Sequence, residues 1–128
     1  MSIIEIIKER LHIEDIVGRY VLLTKSGKNR RGLGPFHNEQ TPSFFVFPDS
    51  QRYKCFGCGT NGDLFDFVMQ REGWDMDTAL RELAVRVLQQ YEADEGPLTA
   101  AQLRQIRQRV PQGGARSVRT RLFDLASS

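Results

Sequence analysis

Apolar residues open the chain at helical spacing: Ile3, Ile4, Ile7 and Leu11 form one stripe, which Ile13, Ile16 and Val17 continue up to Gly18. This predicts a helix interrupted near His12. From Tyr20 the period shortens to that of strands. The runs "YVLLTK" and "NRRGL" read as a hairpin turning at Ser26-Gly27. The runs "SFFVF" and "QRYKC" read as a second hairpin turning at Pro48-Asp49-Ser50, where proline suits the first central position of a type I turn. Strand alternation then places Phe44 and Val46 on one face of the sheet and Phe45 and Phe47 on the other.

Helical spacing returns with Leu64, Phe67 and Val68. Asn61 is the expected N-cap, Asp63 and Asp66 lie in the first turns, and Gly73 is the stop. Asp75 is placed to cap the longest amphipathic stretch, in which Met76, Ala79, Leu80, Leu83, Ala84, Val87, Leu88 and Tyr91 keep a 3/4 rhythm. Glu95-Gly96-Pro97 marks a boundary. A further helix is predicted from Leu98 or Thr99 through Val110, and the end, with Arg116, Arg119 and Arg121 beside Val118, Leu122 and Leu125, reads as a short docked helix or a basic tail. The expected class is α+β: a small antiparallel sheet of two hairpins flanked by helices over residues 1–95, and a helical, Arg-rich extension over 96–128.

Composition changes this picture little, but charge does. At 40% apolar and 27% charged residues, with no apolar run near the roughly 20 needed to cross a bilayer, the chain excludes a membrane-spanning reading and is expected in the cytoplasm. The net charge of +2 conceals segregation: residues 18–54 carry net +5, residues 60–95 net −6 and residues 96–128 net +5. Basic segments flanking an acidic one keep nucleic acid open as a partner, although mutual neutralisation within the fold explains them equally well.

The chemistry concentrates in "YKCFGCG". Cys55 and Cys58, the two cysteines of the chain, have the spacing of a zinc knuckle, because two intervening residues let both thiolates point at one ion. Gly57 and Gly59 suit the positive φ values that such a turn needs. The tight turn Gly34-Pro35-Phe36-His37 supplies a second half-site. Seventeen residues separate His37 from Cys55, within the ~15–20 typical of paired knuckles, and the second hairpin occupies that interval. Three ligands are expected, namely His37, Cys55 and Cys58, for one zinc ion. The fourth position is open to water, to Glu39 or to His12.

The stretch "GLGPFHNEQTPSFFVFPDSQRYKCFGCGTNGDLFDFV" resembles the zinc ribbon at the N-terminus of bacterial replicative DNA primases. Pro35, Phe36, His37, Asn38, Thr41, Pro42, Ser43, Phe44, Tyr53, Cys55, Phe56, Cys58, Gly59 and Asp66-Phe67 match that pattern in order, and the likeness runs from about Ile3 to about Ala84. The family's first ligand is a cysteine, and Gly34 stands there instead. The resemblance implies binding of single-stranded DNA template during primer synthesis, and partnership with a primase core or a helicase. It implies no nucleotide transfer by this chain, since the residues after Leu88 are too few for the catalytic core.

The family typically has polar residues at the positions of Phe45 and Phe47, on the open face thought to meet template. Those rings, with Lys25, Lys28, Arg30, Arg31, Arg52 and Lys54, make the candidate nucleic-acid surface, since base stacking on rings contributes roughly 1–3 kcal/mol per base and cations neutralise phosphate. The competing expectation is that the extension after Gly96 covers the two rings. Because Gly34 removes a ligand, a weakly metallated or metal-free protein-interaction domain is the alternative function. A catalytic Cys₂His zinc site with Glu39 as base ranks below both, for want of a substrate pocket signature.

Overall fold

A computed structural model describes residues 2–35 and 42–110. Their order is α1 (Ile3–Arg10), α2 (Ile13–Val17), β1 (Thr24–Ser26), β2 (Asn29–Gly32), β3 (Phe44–Phe47), β4 (Arg52–Cys55), β5 (Asn61–Gly62), α3 (Leu64–Glu72), α4 (Met76–Glu92) and α5 (Ala100–Arg109). They fall into two compact units, one of residues 12–74 and one that joins the N-terminal residues through Leu11 to those from Asp75 onward.

In the 12–74 unit the five strands form one antiparallel sheet in sequential order. The two expected hairpins are present, and β5 extends them by pairing Tyr53 with Gly62 and Lys54 with Asn61. Asn61 is therefore a strand residue, and the helix cap falls two residues later. Asp63 accepts the Asp66 amide at 3.0 Å while the Asp66 carboxylate accepts the Asp63 amide at 3.0 Å, a reciprocal capping box. Gly62 permits this closure, since a side chain there would collide with that of Asp66. At the other end of α3, Gly73 takes φ 75° and its amide donates to Met69 O at 2.9 Å.

The sheet is buried on one face. Phe44 and Val46 of β3 and Tyr53 and Cys55 of β4 are fully or almost fully enclosed, together with Ile13, Ile16, Leu64, Phe67 and Val68 of α2 and α3. Phe67 is the hub: its ring lies 5.5 Å from both Tyr20 and Tyr53 and 6.1 Å from Phe44. Burial first, then the carboxylates of Asp66 and Asp63, push the Tyr53 phenol up to about 12. The β3–β4 turn is tied down by Gln51, a non-glycine residue at φ 58°. Its amide group donates to Glu14 Oε1 and Pro48 O, each at 2.9 Å, and its oxygen accepts the Ile13 amide at 2.8 Å. Those bonds hold a backbone conformation that otherwise costs about 1–3 kcal/mol.

The second unit packs α1, α4 and α5 together. Its core is Ile6, Ile7, Leu11, Leu83, Ala84, Val87, Leu88 and Ile106. The helix of the extension is capped by Thr99, which exchanges hydrogen bonds with Gln102, and its buried Ile106 belongs to the packing of α5 on α1 and α4. Residues 111–128 lie outside the described residues. Arg10 closes the link before α5, donating to Pro97 O at 2.7 Å and Gly96 O at 3.2 Å.

One carboxylate departs from the amphipathic plan. Glu82 on α4 is 6% exposed, its Oε2 has no hydrogen-bond partner among the described residues, and Arg81 Nε stands 3.9 Å from Oε1. Burial raises its pKa and Arg81 only partly opposes this. Because the folded-state value lies above the unfolded one, the contribution of Glu82 to stability is fully present below the unfolded pKa and is lost as pH rises through the folded one. Replacing Glu82 with methionine, a good helix former of similar shape, is therefore expected to raise Tm at pH 7 by about 4 °C, the equivalent of ~1 kcal/mol. The gain should shrink toward pH 4; a constant gain across pH would show that packing, not charge, is responsible.

Candidate nucleic-acid interface and metal centre

The knuckle grows from the end of β4. Cys55 is the last strand residue, and its amide donates to Thr60 O at 2.7 Å. Gly59 N donates back to Cys55 O at 2.7 Å and closes the turn. Gly59 alone of the two knuckle glycines needs a positive φ, at 82°. Cys55 is buried and Cys58 exposed; the two are not joined in a disulfide, and Cys58 Sγ lies 3.1 Å from Thr60 Oγ1. Two thiols with two residues between them in a tight turn suit one half of a zinc site. Gly34, buried after β2, brings no donor side chain of its own. His37 and Glu39 lie outside the described residues, and His12 is the exposed N-cap of α2. Among the described residues no group of three or more His, Cys, Asp or Glu gathers around one point.

The other face of the sheet carries the aromatic and cationic residues. Register aligns Arg31 with Phe45 and Phe45 with Lys54, and sets Phe47 opposite Arg52. These five side chains share the face opposite the core. Phe45 and Phe47 are partly exposed, and Arg31, Arg52 and Lys54 are exposed. The two rings stand nearly parallel, 12° apart in plane and 6.3 Å between centres.

The remaining expected cations are placed elsewhere. Lys25 pairs with Arg30, and Arg30 with the buried Val46, so both project to the face away from Phe45. Lys28 sits past the β1 end and is bridged to Asp49 at 3.2 Å. Alternation thus divides the six cations: three on the aromatic face, two behind it and one at a hairpin tip.

A residue that the sequence did not mark as part of this surface joins it. Phe56, inside the knuckle, is 59% exposed, meets Phe45 edge-on at 5.5 Å and lies 4.9 Å beneath the Lys54 ammonium. Its amide donates to Ser43 O at 2.9 Å, which anchors the knuckle to the start of β3. Past Arg31 the surface continues into an apolar hollow of about 370 Å³ walled by Leu22, Thr24, Leu33 and Pro35 among others, with Leu22 and Leu33 exposed.

Comparison with known proteins bears on this arrangement. A family model described as CHC2 zinc finger matches residues 1–97. The DNA primase of Halalkalibacterium halodurans is 51% identical over 83 residues, 65% of this chain and 14% of the primase. The DNA primase of Synechocystis is 34% identical over 122 residues, 95% of this chain and 18% of the relative. The chain thus spans less than a fifth of the length of these curated relatives. A crystal structure of Aquifex aeolicus primase, comprising zinc-binding and RNA polymerase domains, superposes with a TM-score of 0.65 at 41% identity, covering 68% of this chain and 22% of that one. No helix among the described residues is long and apolar enough to cross a membrane.

Proposed function

The chain belongs to the CHC2 zinc-finger family, the zinc ribbon of DNA primases, and from that premise we propose that it binds single-stranded DNA template through the open face of its sheet without itself joining nucleotides. The observation that carries this reading is the meeting of Phe45 and Phe47 with Arg31, Arg52 and Lys54 on one exposed face. Rings give stacking surfaces to unpaired bases and the flanking cations meet phosphates. We assign His37, Cys55 and Cys58 to one zinc ion, whose role is to lock the knuckle that presents Phe56. A primase core or a helicase is the partner that would use the bound strand.

Titration of labelled single-stranded DNA over a range of salt concentrations tests the reading. Three phosphate contacts on a single strand should give a slope of log affinity against log salt of about −2. A slope near zero, or no binding, favours the second reading, a protein-interaction domain, which the missing thiolate at Gly34 supports. A slope well beyond −3 would mean that Lys25, Lys28 and Arg30 also reach the strand.

A further inference from the structure

We propose that this face selects an unstacked, extended single strand, with Phe56 as its third ring; the proposal rests on the reading of the open face given above. Successive bases in a stacked strand lie roughly 3.4 Å apart. The centres of Phe45 and Phe47 are 6.3 Å apart, and their planes are nearly parallel. A base entering between the rings needs about 6.8 Å for two stacking contacts, more than the 6.3 Å present, so each ring takes one base and neighbouring bases on this surface do not touch each other.

The cations repeat in the same step. Lys54 lies opposite Phe45 and Arg52 opposite Phe47, two residues apart on one strand, so the pairs recur at about 6.8 Å. A strand stretched to that repeat meets one ring and one cation per nucleotide. A duplex, or a strand kept stacked, presents its bases at half the repeat and can satisfy only alternate positions. Phe56 adds a ring at 84° to Phe45, beneath Lys54, so a strand running from Phe47 past Phe45 turns there to lay its next base on Phe56.

The preferred ligand class is a single strand whose bases separate at little cost: thymine-rich tracts ahead of adenine-rich ones, which must first unstack, and both ahead of duplex. Fluorescence anisotropy of the full chain with oligo-dT, oligo-dA and duplex of equal length at one low salt concentration tests this. Oligo-dT is expected to bind about 3- to 10-fold more tightly than oligo-dA, with duplex weakest. Phe56→Ala should weaken oligo-dT binding and narrow the dT/dA ratio. Phe56→Leu, which keeps an apolar side chain in the knuckle but removes the π face, should do the same if the alanine variant fails to fold.

Equal or tighter binding of oligo-dA, or duplex binding that matches oligo-dT, overturns the inference. If both oligonucleotides bind but neither responds to loss of Phe45 and Phe47, the underlying assignment of the open face fails instead. If both respond and oligo-dA still equals oligo-dT, only the extended-strand inference is lost.

Discussion

Replacing Phe45 and Phe47 together with alanine is expected to weaken binding of single-stranded DNA by about 30-fold or more while leaving the fold intact. Each base–ring contact contributes ~1–3 kcal/mol, so losing two at the low end removes ~2 kcal/mol, and each 1.4 kcal/mol is tenfold. The fold should survive because both rings project from the open face, whereas their sequence neighbours Phe44 and Val46 are fully buried. Phe44→Ala provides the contrast. It removes a ring packed on Tyr53 and Phe67 and should cost about 3–5 kcal/mol of stability. Anisotropy titration beside a thermal melt separates the two outcomes, and a double variant that binds as tightly as the parent would remove the rings from the interface.

Restoring a thiolate at position 34 is the second large effect. Apparent zinc affinity in small fingers is worth ~10–16 kcal/mol over four ligands, so one ligand corresponds to roughly 3 kcal/mol. Gly34→Cys should therefore hold zinc about 100-fold more tightly in competition with a chelating dye. Gly34 precedes His37 by three positions in the sequence, and the knuckle already brings the thiols of Cys55 and Cys58. Unchanged retention would show that this loop does not approach the ion. Because Phe56 sits between the two cysteines, stripping the metal from the parent chain should also loosen the third ring.

The sequence was most legible where one period ran unopposed. The rhythm from Met76 to Tyr91 and the break at His12 both appear where the apolar stripe indicates. The alternation in "SFFVF" separates the buried Phe44 and Val46 from the partly exposed Phe45 and Phe47. It was less legible where two local chemistries competed. Asn61 and Asp63 are both good helix caps, and the choice falls to Asp63 because Asn61 is used by pairing with Lys54, a contact that no local pattern contains.

The candidate surface illustrates the same limit. Arg52 and Lys54 share a face by alternation, whereas the four cations of the first hairpin looked equivalent, yet its register turns Lys25 and Arg30 away from the rings. A strict period-2 reading of "NRRGL" from the turn at Gly27 contains that signal. Phe56 was hidden for another reason. Its place inside the knuckle motif marks it as a metal-loop residue, and only the path of the chain after β4 carries its ring back over Phe45.

The face itself can be watched directly. Heteronuclear NMR of the full chain titrated with a short oligo-dT should move signals of Arg31, Phe45, Phe47, Arg52, Lys54 and Phe56 and leave those of α4 and α5 in place. Shifts centred on the helices, or no shifts at protein concentrations that saturate the oligonucleotide, would contradict a single-strand platform on this sheet.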